Sequence, residues 1–367
     1  MEKPIFAVCG AGRAGCAIAA DMALMGYTVN LFELDDYQEN IVPIQEKGGL
    51  ELSGKTQSGK VGFAKLNLVT TNPEEAIADA ELIMISAPSF GHKAFFQSIY
   101  PYLKSGQSVL FNTGYFASLR FGKALIQSGR SDKVTIAEAN IMPYLSDKKD
   151  YHVHIYNVKR DIIFATFPGN GDDKISQIIS LVYPQHRRVP NVLWTNFEVG
   201  NPSLHAPFLL PIAGMPFDRY KGCKLYGEAT SCGARLVEAF DRERVKVAKA
   251  LGCDVTETAL EEATRIYGYE GADISEAYRK SPHADRYVPA ERLQAILLED
   301  LCHFYVPASR LAASIGVSTP LINAMVEIWG AILGVDYWGK GLTLEELGLA
   351  GLTADQVIRY ANTGSTT

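Results

Sequence analysis

No stretch of this chain is both long enough and apolar enough to cross a bilayer. The most hydrophobic run, residues 320–333, contains Asn323 and Glu327 and falls short of the roughly 20 residues a spanning helix needs. Arg13 cuts the apolar run that follows Lys3, so a secretory signal is not expected either. Cysteine is sparse and scattered. Cys9, Cys16, Cys223, Cys232, Cys253 and Cys302 form no C-x-x-C pair, which argues against a disulfide framework or zinc site and for reduced thiols in the cytoplasm. Basic charge is in deficit, with 35 Lys and Arg against 41 Asp and Glu, a net charge of -6. No basic stripe or polybasic cluster exists, so neither nucleic acid nor an anionic membrane is an expected partner. Repeats and low-complexity segments are missing as well. What remains is globular in composition, 47% hydrophobic and 21% charged over 367 residues, too many for one core and suited to about two domains.

The first half alternates short apolar runs with amphipathic stretches. Residues 5–9, 28–33, 82–87 and 108–112 read as strands buried on both faces, with a helix over about 12–24 between the first two. This alternation predicts an α/β fold, an N-terminal Rossmann-type doubly wound parallel sheet. Residues 48–62 carry glycines at 48, 49, 54, 59 and 62 and read as a hairpin or loop insertion. Residues 153–158 and 162–167 are strand-like and finish the domain. Beyond Pro184 and Pro190 the pattern turns helical. Leu236, Val237, Phe240, Val247, Ala248 and Leu251 fall at helical spacing, and Thr319-Pro320 opens another helix. Thr343-x-x-Glu346 and Thr353-x-x-Gln356 are capping boxes. The expected division is a dinucleotide-binding domain over 1–187 and an all-helical domain over 188–367, with a loose tail from 362 onward.

Gly10-Ala11-Gly12-Arg13-Ala14-Gly15 fits G-x-G-x-x-G. Its place after a buried strand and at the start of a helix gives the pattern its meaning. Gly10 permits the tight turn, Gly12 the approach of a pyrophosphate, and Gly15 close packing of helix on strand, with the phosphates at the helix N-terminus. Glu33 ends the second strand 18 residues after Gly15, placed to accept both adenosine ribose hydroxyls and to repel a 2′-phosphate. The acidic run Glu33-Leu34-Asp35-Asp36 favours NAD, while Arg13 in the loop keeps NADP open. Pro88 and Asn112 follow the two later strands at their carboxyl ends, where ligands bind in such sheets; ordinary turns explain them equally well.

Seven histidines are available. His152 and His154 share one strand face, but no cysteine or carboxylate cluster stands near them in sequence, so no metal site is expected. His205 lies in Asn201-Pro202-Ser203-Leu204-His205-Ala206-Pro207, at the start of the helical half, and by residue type alone is more readily structural than catalytic. The glycine loop, this N-P-x-x-H-x-P motif, and Glu299-Asp300 followed by Val306-Pro307 together resemble the opine dehydrogenases. The run Val317-Ser318-Thr319-Pro320-Leu321-Ile322 and the ending Leu347-Gly348-Leu349-Ala350-Gly351-Leu352-Thr353 extend the likeness over most of the chain, with residues 45–75 and 145–185 matching least.

The resemblance implies an enzyme that joins an amino acid, or another amine, to a 2-oxo acid and reduces the imine with NAD(P)H, or runs the reverse oxidation. It implies small-molecule partners and leaves a homo-oligomer open. His205 corresponds to the family's proton-transferring histidine and Asp300 to its acidic partner. The chemistry suits them, since imine formation moves protons near neutral pH and a carboxylate fixes the imidazole tautomer. One departure stands out. The family's R-Y-x-x-E-D pattern carries a carboxylate-binding arginine five residues before the aspartate, where this chain has Ala295. Arg292 is the nearest substitute for binding the substrate carboxylate, although helical side chains lean away from that site. Two other readings compete: a two-domain dehydrogenase of the glycerol-3-phosphate or ketopantoate type, with Lys221 or Lys224 as its acid, and a protein that senses NAD without turnover.

Overall fold

The computed structural model describes residues 3–171, 173–198 and 200–367. They divide into two compact units, one running to Thr195 with Asn362–Gly364 added, the other comprising Asn196–Ala361 and Ser365–Thr367. The expected boundary at 187/188 therefore falls inside a strand of the first unit, and the tail expected to be loose contributes three residues to that unit. The amide of Asn170 donates to the Asn362 carbonyl at 3.0 Å, and Asn191 Nδ2 donates to Asn362 Oδ1 at 2.8 Å.

The first unit holds twelve strands among its described residues: β1 (Ile5–Cys9), β2 (Thr28–Phe32), β3 (Gly49–Gly54), β4 (Gly62–Lys65), β5 (Leu68–Thr70), β6 (Leu82–Ile85), β7 (Ser108–Asn112), β8 (Thr135–Ala139), β9 (Tyr144–Lys149), β10 (His152–Val158), β11 (Ile162–Phe167) and β12 (His186–Arg188). Eight form one sheet in the order β12-β11-β8-β7-β6-β1-β2-β5. Every pair in it is parallel except β11 against β8. β1, β6 and β7 are almost wholly buried, as a sheet covered by helices on both faces requires. The order reverses between β1 and β6, which puts the switch point beside the turn leaving β1.

The remaining four strands make a second sheet, β4-β3-β10-β9. The glycine-rich segment is its hairpin, β3 antiparallel to β4, and β10 runs parallel to β3 rather than extending the large sheet. Leu50, Leu52, Ala64, Val153 and Ile155 are buried while their strand neighbours are largely exposed, and this apolar face packs on the helix Arg13–Leu24.

Among its described residues the second unit is helical as expected, with one two-residue ladder, Gly222–Cys223 with Val288–Pro289. The long helix Ser231–Ala250 lies beside Gly200–Leu209, with Phe240, Phe304, Tyr305 and Trp329 fully buried in the core. The helix Pro320–Leu333 starts where Thr319-Pro320 predicts, and Thr343 and Glu346 cap each other as expected. Among the described residues no helix is long and apolar enough to cross a membrane.

Candidate functional site

In the first unit the glycine loop closes the turn between β1 and the helix Arg13–Leu24. Gly10 has φ +105°, and a Cβ there would lie 2.9 Å from the Ser86 carbonyl oxygen, so both backbone shape and space demand glycine. A Cβ on Gly15 would sit 1.9 Å from the Gly10 carbonyl oxygen. Gly12 differs. Nothing lies within 4 Å of its missing Cβ, and as the helix N-cap it offers no side chain to the first amides. Ala11 is fully buried, Ala14 nearly so, and Arg13 stands exposed at the first position of the helix. An open side above uncapped amides is the place for an anion.

Glu33 follows β2 and is only 4% exposed. Its carboxylate accepts from the Ala11 amide at 2.9 Å, from the Leu34 amide at 2.9 Å and from Asn40 Nδ2 at 3.4 Å. Burial raises its pKa, while these donors and the nearby Lys148 ammonium oppose the rise. Glu33 thus braces the glycine loop, a role beyond the ribose contact expected of it. Beyond β6, the buried Ser86 hydroxyl has no hydrogen-bond partner among the described residues, and neither polar atom of the fully buried Asn112 side chain at the end of β7 has one. Pro88 precedes a short 3-10 turn, Ser89–Gly91. Buried polar groups left unpaired are costly and call for an explanation. Together with the open side at Gly12, they fit a dinucleotide laid across the carboxyl ends of these strands.

Sequence reading missed the support behind this loop. β9 points Tyr144, Ser146 and Lys148 toward the helix Arg13–Leu24: Tyr144 donates to Asp21 Oδ2 at 2.7 Å, and Ser146 to the Arg13 carbonyl at 3.1 Å. Lys148 Nζ donates to the carbonyls of Ala11 at 2.9 Å and Asn40 at 2.8 Å.

In the second unit, the helix Gly200–Leu209 carries His205, and Asp300 is the last residue of the helix Ala290–Asp300. That helix runs on through one π-helical turn, Leu301–Tyr305, into Val306–Ser314; such turns recur at functional sites. Tyr305 within the turn donates to the Pro202 carbonyl at 2.8 Å and so ties the turn to the histidine's helix. His205 Nδ1 lies 2.9 Å from Asp300 Oδ2, with the histidine 8% and the aspartate 0% exposed. A carboxylate only accepts, so Nδ1 carries the hydrogen, and in the neutral ring Nε2 then presents its lone pair. That lone pair meets the hydroxyl of Tyr226 at 2.9 Å, a contact no sequence pattern announced.

The other candidates stand apart. Arg292 is exposed and makes no hydrogen bond or ion pair among the described residues, and Ala295 is part-buried on the same helix. Lys224 pairs with the exposed Asp285 at 2.9 Å, and Lys221 is exposed. His154 shares a hydrogen bond with Ser53 on the exposed face of β10, and His152 is exposed beside it. Among the described residues no group of three or more His, Cys, Asp or Glu side chains is arranged to hold a metal ion.

Comparison with known proteins gives concordant results. Residues 188–333 match the family described as NAD/NADP octopine/nopaline dehydrogenase, alpha-helical domain. An opine dehydrogenase from Arthrobacter sp. (strain 1C) is 33% identical over 363 residues, covering 96% of this chain and 98% of that protein. Among solved structures, octopine dehydrogenase in complex with NADH and agmatine superposes with a TM-score of 0.77 at 16% identity, over 97% of this chain and 98% of its own. Yersinopine dehydrogenase with NADP+ bound superposes with a TM-score of 0.73 at 15% identity, over 98% of each.

Proposed function

The chain belongs to the opine dehydrogenase family, and on that footing we propose that it condenses an amino acid or other amine with a 2-oxo acid and reduces the imine with NADH, or runs the reverse oxidation, in the cytoplasm. The observation that carries this reading is the buried 2.9 Å pair of His205 and Asp300. Gly10, Ala11, Gly12, Arg13, Ala14 and Gly15 would hold the dinucleotide phosphates, Glu33 the ribose end, and Asn112 with the segment at Pro88 the far end. When bound, the dinucleotide supplies the hydride that the imine carbon takes up.

The protein's own residues manage the protons. An amino acid enters as an ammonium ion and must lose a proton before its nitrogen can attack a carbonyl. The neutral imidazole of His205 takes that proton, and Asp300 stabilises the imidazolium. A proton is then returned to the carbinolamine oxygen, which leaves as water and generates an iminium, the form that accepts hydride readily. Arg292 is the proposed anchor for the 2-oxo acid carboxylate, a group too costly to desolvate without a cation.

The test is a matrix of amino acids against 2-oxo acids, followed by loss of NADH absorbance and repeated with NADPH. One or more pairs should turn over, with NADH preferred. His205→Ala should lower kcat by roughly 10²–10⁴-fold while NADH still binds. Arg292→Ala should raise the KM for the 2-oxo acid about tenfold, the 1.4 kcal/mol of one charge-assisted contact. Silence across the whole matrix would reject the reaction, and full activity in His205→Ala would reject the assignment of the base.

A further inference from the structure

From the contact on His205 Nε2 we infer that Tyr226 is a catalytic residue, the outer end of a proton path that runs through His205 to Asp300; the inference rests on the opine reading above. With Nδ1–H committed to Asp300, Nε2 is the only ring nitrogen able to exchange protons with a substrate; the Tyr226 hydroxyl lies 2.9 Å from it and donates to it when the ring is neutral. Of the three residues Asp300 is fully buried, His205 nearly so and Tyr226 half-buried, so the tyrosine is the most exposed member.

The ring is held as a positioned group must be. Tyr226 sits in the turn after Gly222–Cys223, stacked on Tyr278 with centroids 4.7 Å apart and planes 20° apart. His283 meets it edge-on at 5.1 Å and is itself fixed by Tyr269, whose hydroxyl lies 2.9 Å from His283 Nδ1. Phe208, on the helix of His205, closes another side at 6.4 Å. A phenol ring gripped by aromatics on several sides has little freedom except rotation of its O–H.

The path balances. The substrate ammonium gives a proton to the Tyr226 oxygen as the phenolic proton passes to His205 Nε2, leaving a neutral amine, an intact tyrosine and an imidazolium facing Asp300. After the amine adds to the carbonyl, the imidazolium returns its proton to the Tyr226 oxygen while the phenolic proton goes to the carbinolamine hydroxyl, which departs as water. Tyrosine, histidine and aspartate end as they began.

Tyr226→Phe keeps the stacking and removes only the hydroxyl. It should lower kcat about 10²-fold, the lower end of what a positioned acid or base contributes, with KM for both substrates and the Kd for NADH little changed. Turnover in Tyr226→Ala should recover on adding 4-methylphenol and not toluene, which has the same shape without the hydroxyl. Wild-type kcat in Tyr226→Phe, or no difference between 4-methylphenol and toluene, would overturn the path. The 15N resonances of His205 can be followed without turnover. The Nε2 signal should shift in Tyr226→Phe, and if it does not, the path fails even if the condensation itself is found; a chain that shows the shift but no turnover with any substrate pair fails on the opine reading instead.

Discussion

Buried ionisable side chains write their signature on the stability of the helical unit, and Glu262 is the clearest case. It lies 6% exposed in the helix Ala259–Tyr267, with Oε1 lacking a partner among the described residues. Burial first, and then repulsion from Glu198, push its pKa up to about 8, against the pull of Arg244 and Arg265. The carboxyl is thus held neutral in the fold at a pH where the unfolded chain ionises it. Its contribution is full below the ordinary carboxylate range near 4.5 and is lost as pH rises through about 8. The unit's melting temperature should fall between pH 5 and pH 8, and Glu262→Gln, which mimics the neutral acid, should remove much of that fall; an equal slope in the variant would contradict this. No motif exposes such a residue in sequence, because an acid at the fourth position of a helix also reads as a good first-turn charge. Glu33 is read from its interval after the glycine loop, whereas His205 and Asp300 are expected only through the motifs shared with the opine dehydrogenases. Tyr226 is legible in neither way, being a turn residue whose only tie to His205 is spatial.

Elements were legible where their buried face is apolar. β1, β7 and the helix Arg13–Leu24 follow hydrophobic periodicity almost to the residue. β9 escaped because the side chains it turns inward are Tyr144, Ser146 and Lys148, which alternate correctly yet carry no hydrophobic signal. The strand matters nonetheless, since its lysine fastens the glycine loop through two carbonyls. In Lys148→Met the loop should lose that tie and the nearby Glu33 its neighbouring cation. The Kd for NADH, measured by fluorescence titration, should rise about tenfold, or 1.4 kcal/mol, and a Kd within a factor of two of wild type would show that β9 only packs.

At the scale of the whole chain, the composition break near Pro184 and Pro190 brackets β12, a strand inside the first unit. Thr195 still belongs to the first unit, its hydroxyl donating to Glu138 Oε1 at 2.9 Å, and Asn362 returns to complete it. Asn362→Ala removes the side-chain bond to Asn191, worth roughly 1 kcal/mol. In calorimetry the transition of the first unit should drop by about 2–4 °C, with the second left in place. A shift confined to the helical unit would put residues 362–364 elsewhere. The same return sets an order of events during synthesis. β1 to β12 emerge early, but the segment that closes their unit emerges only after the whole of Asn196–Ala361. At about 5–20 residues per second, that interval is on the order of 8–30 s. For that time the Asn170 amide and the Asn191 Nδ2 lack their Asn362 partners, so a ribosome that stalls within the helical unit holds an unfinished first unit open to proteolysis.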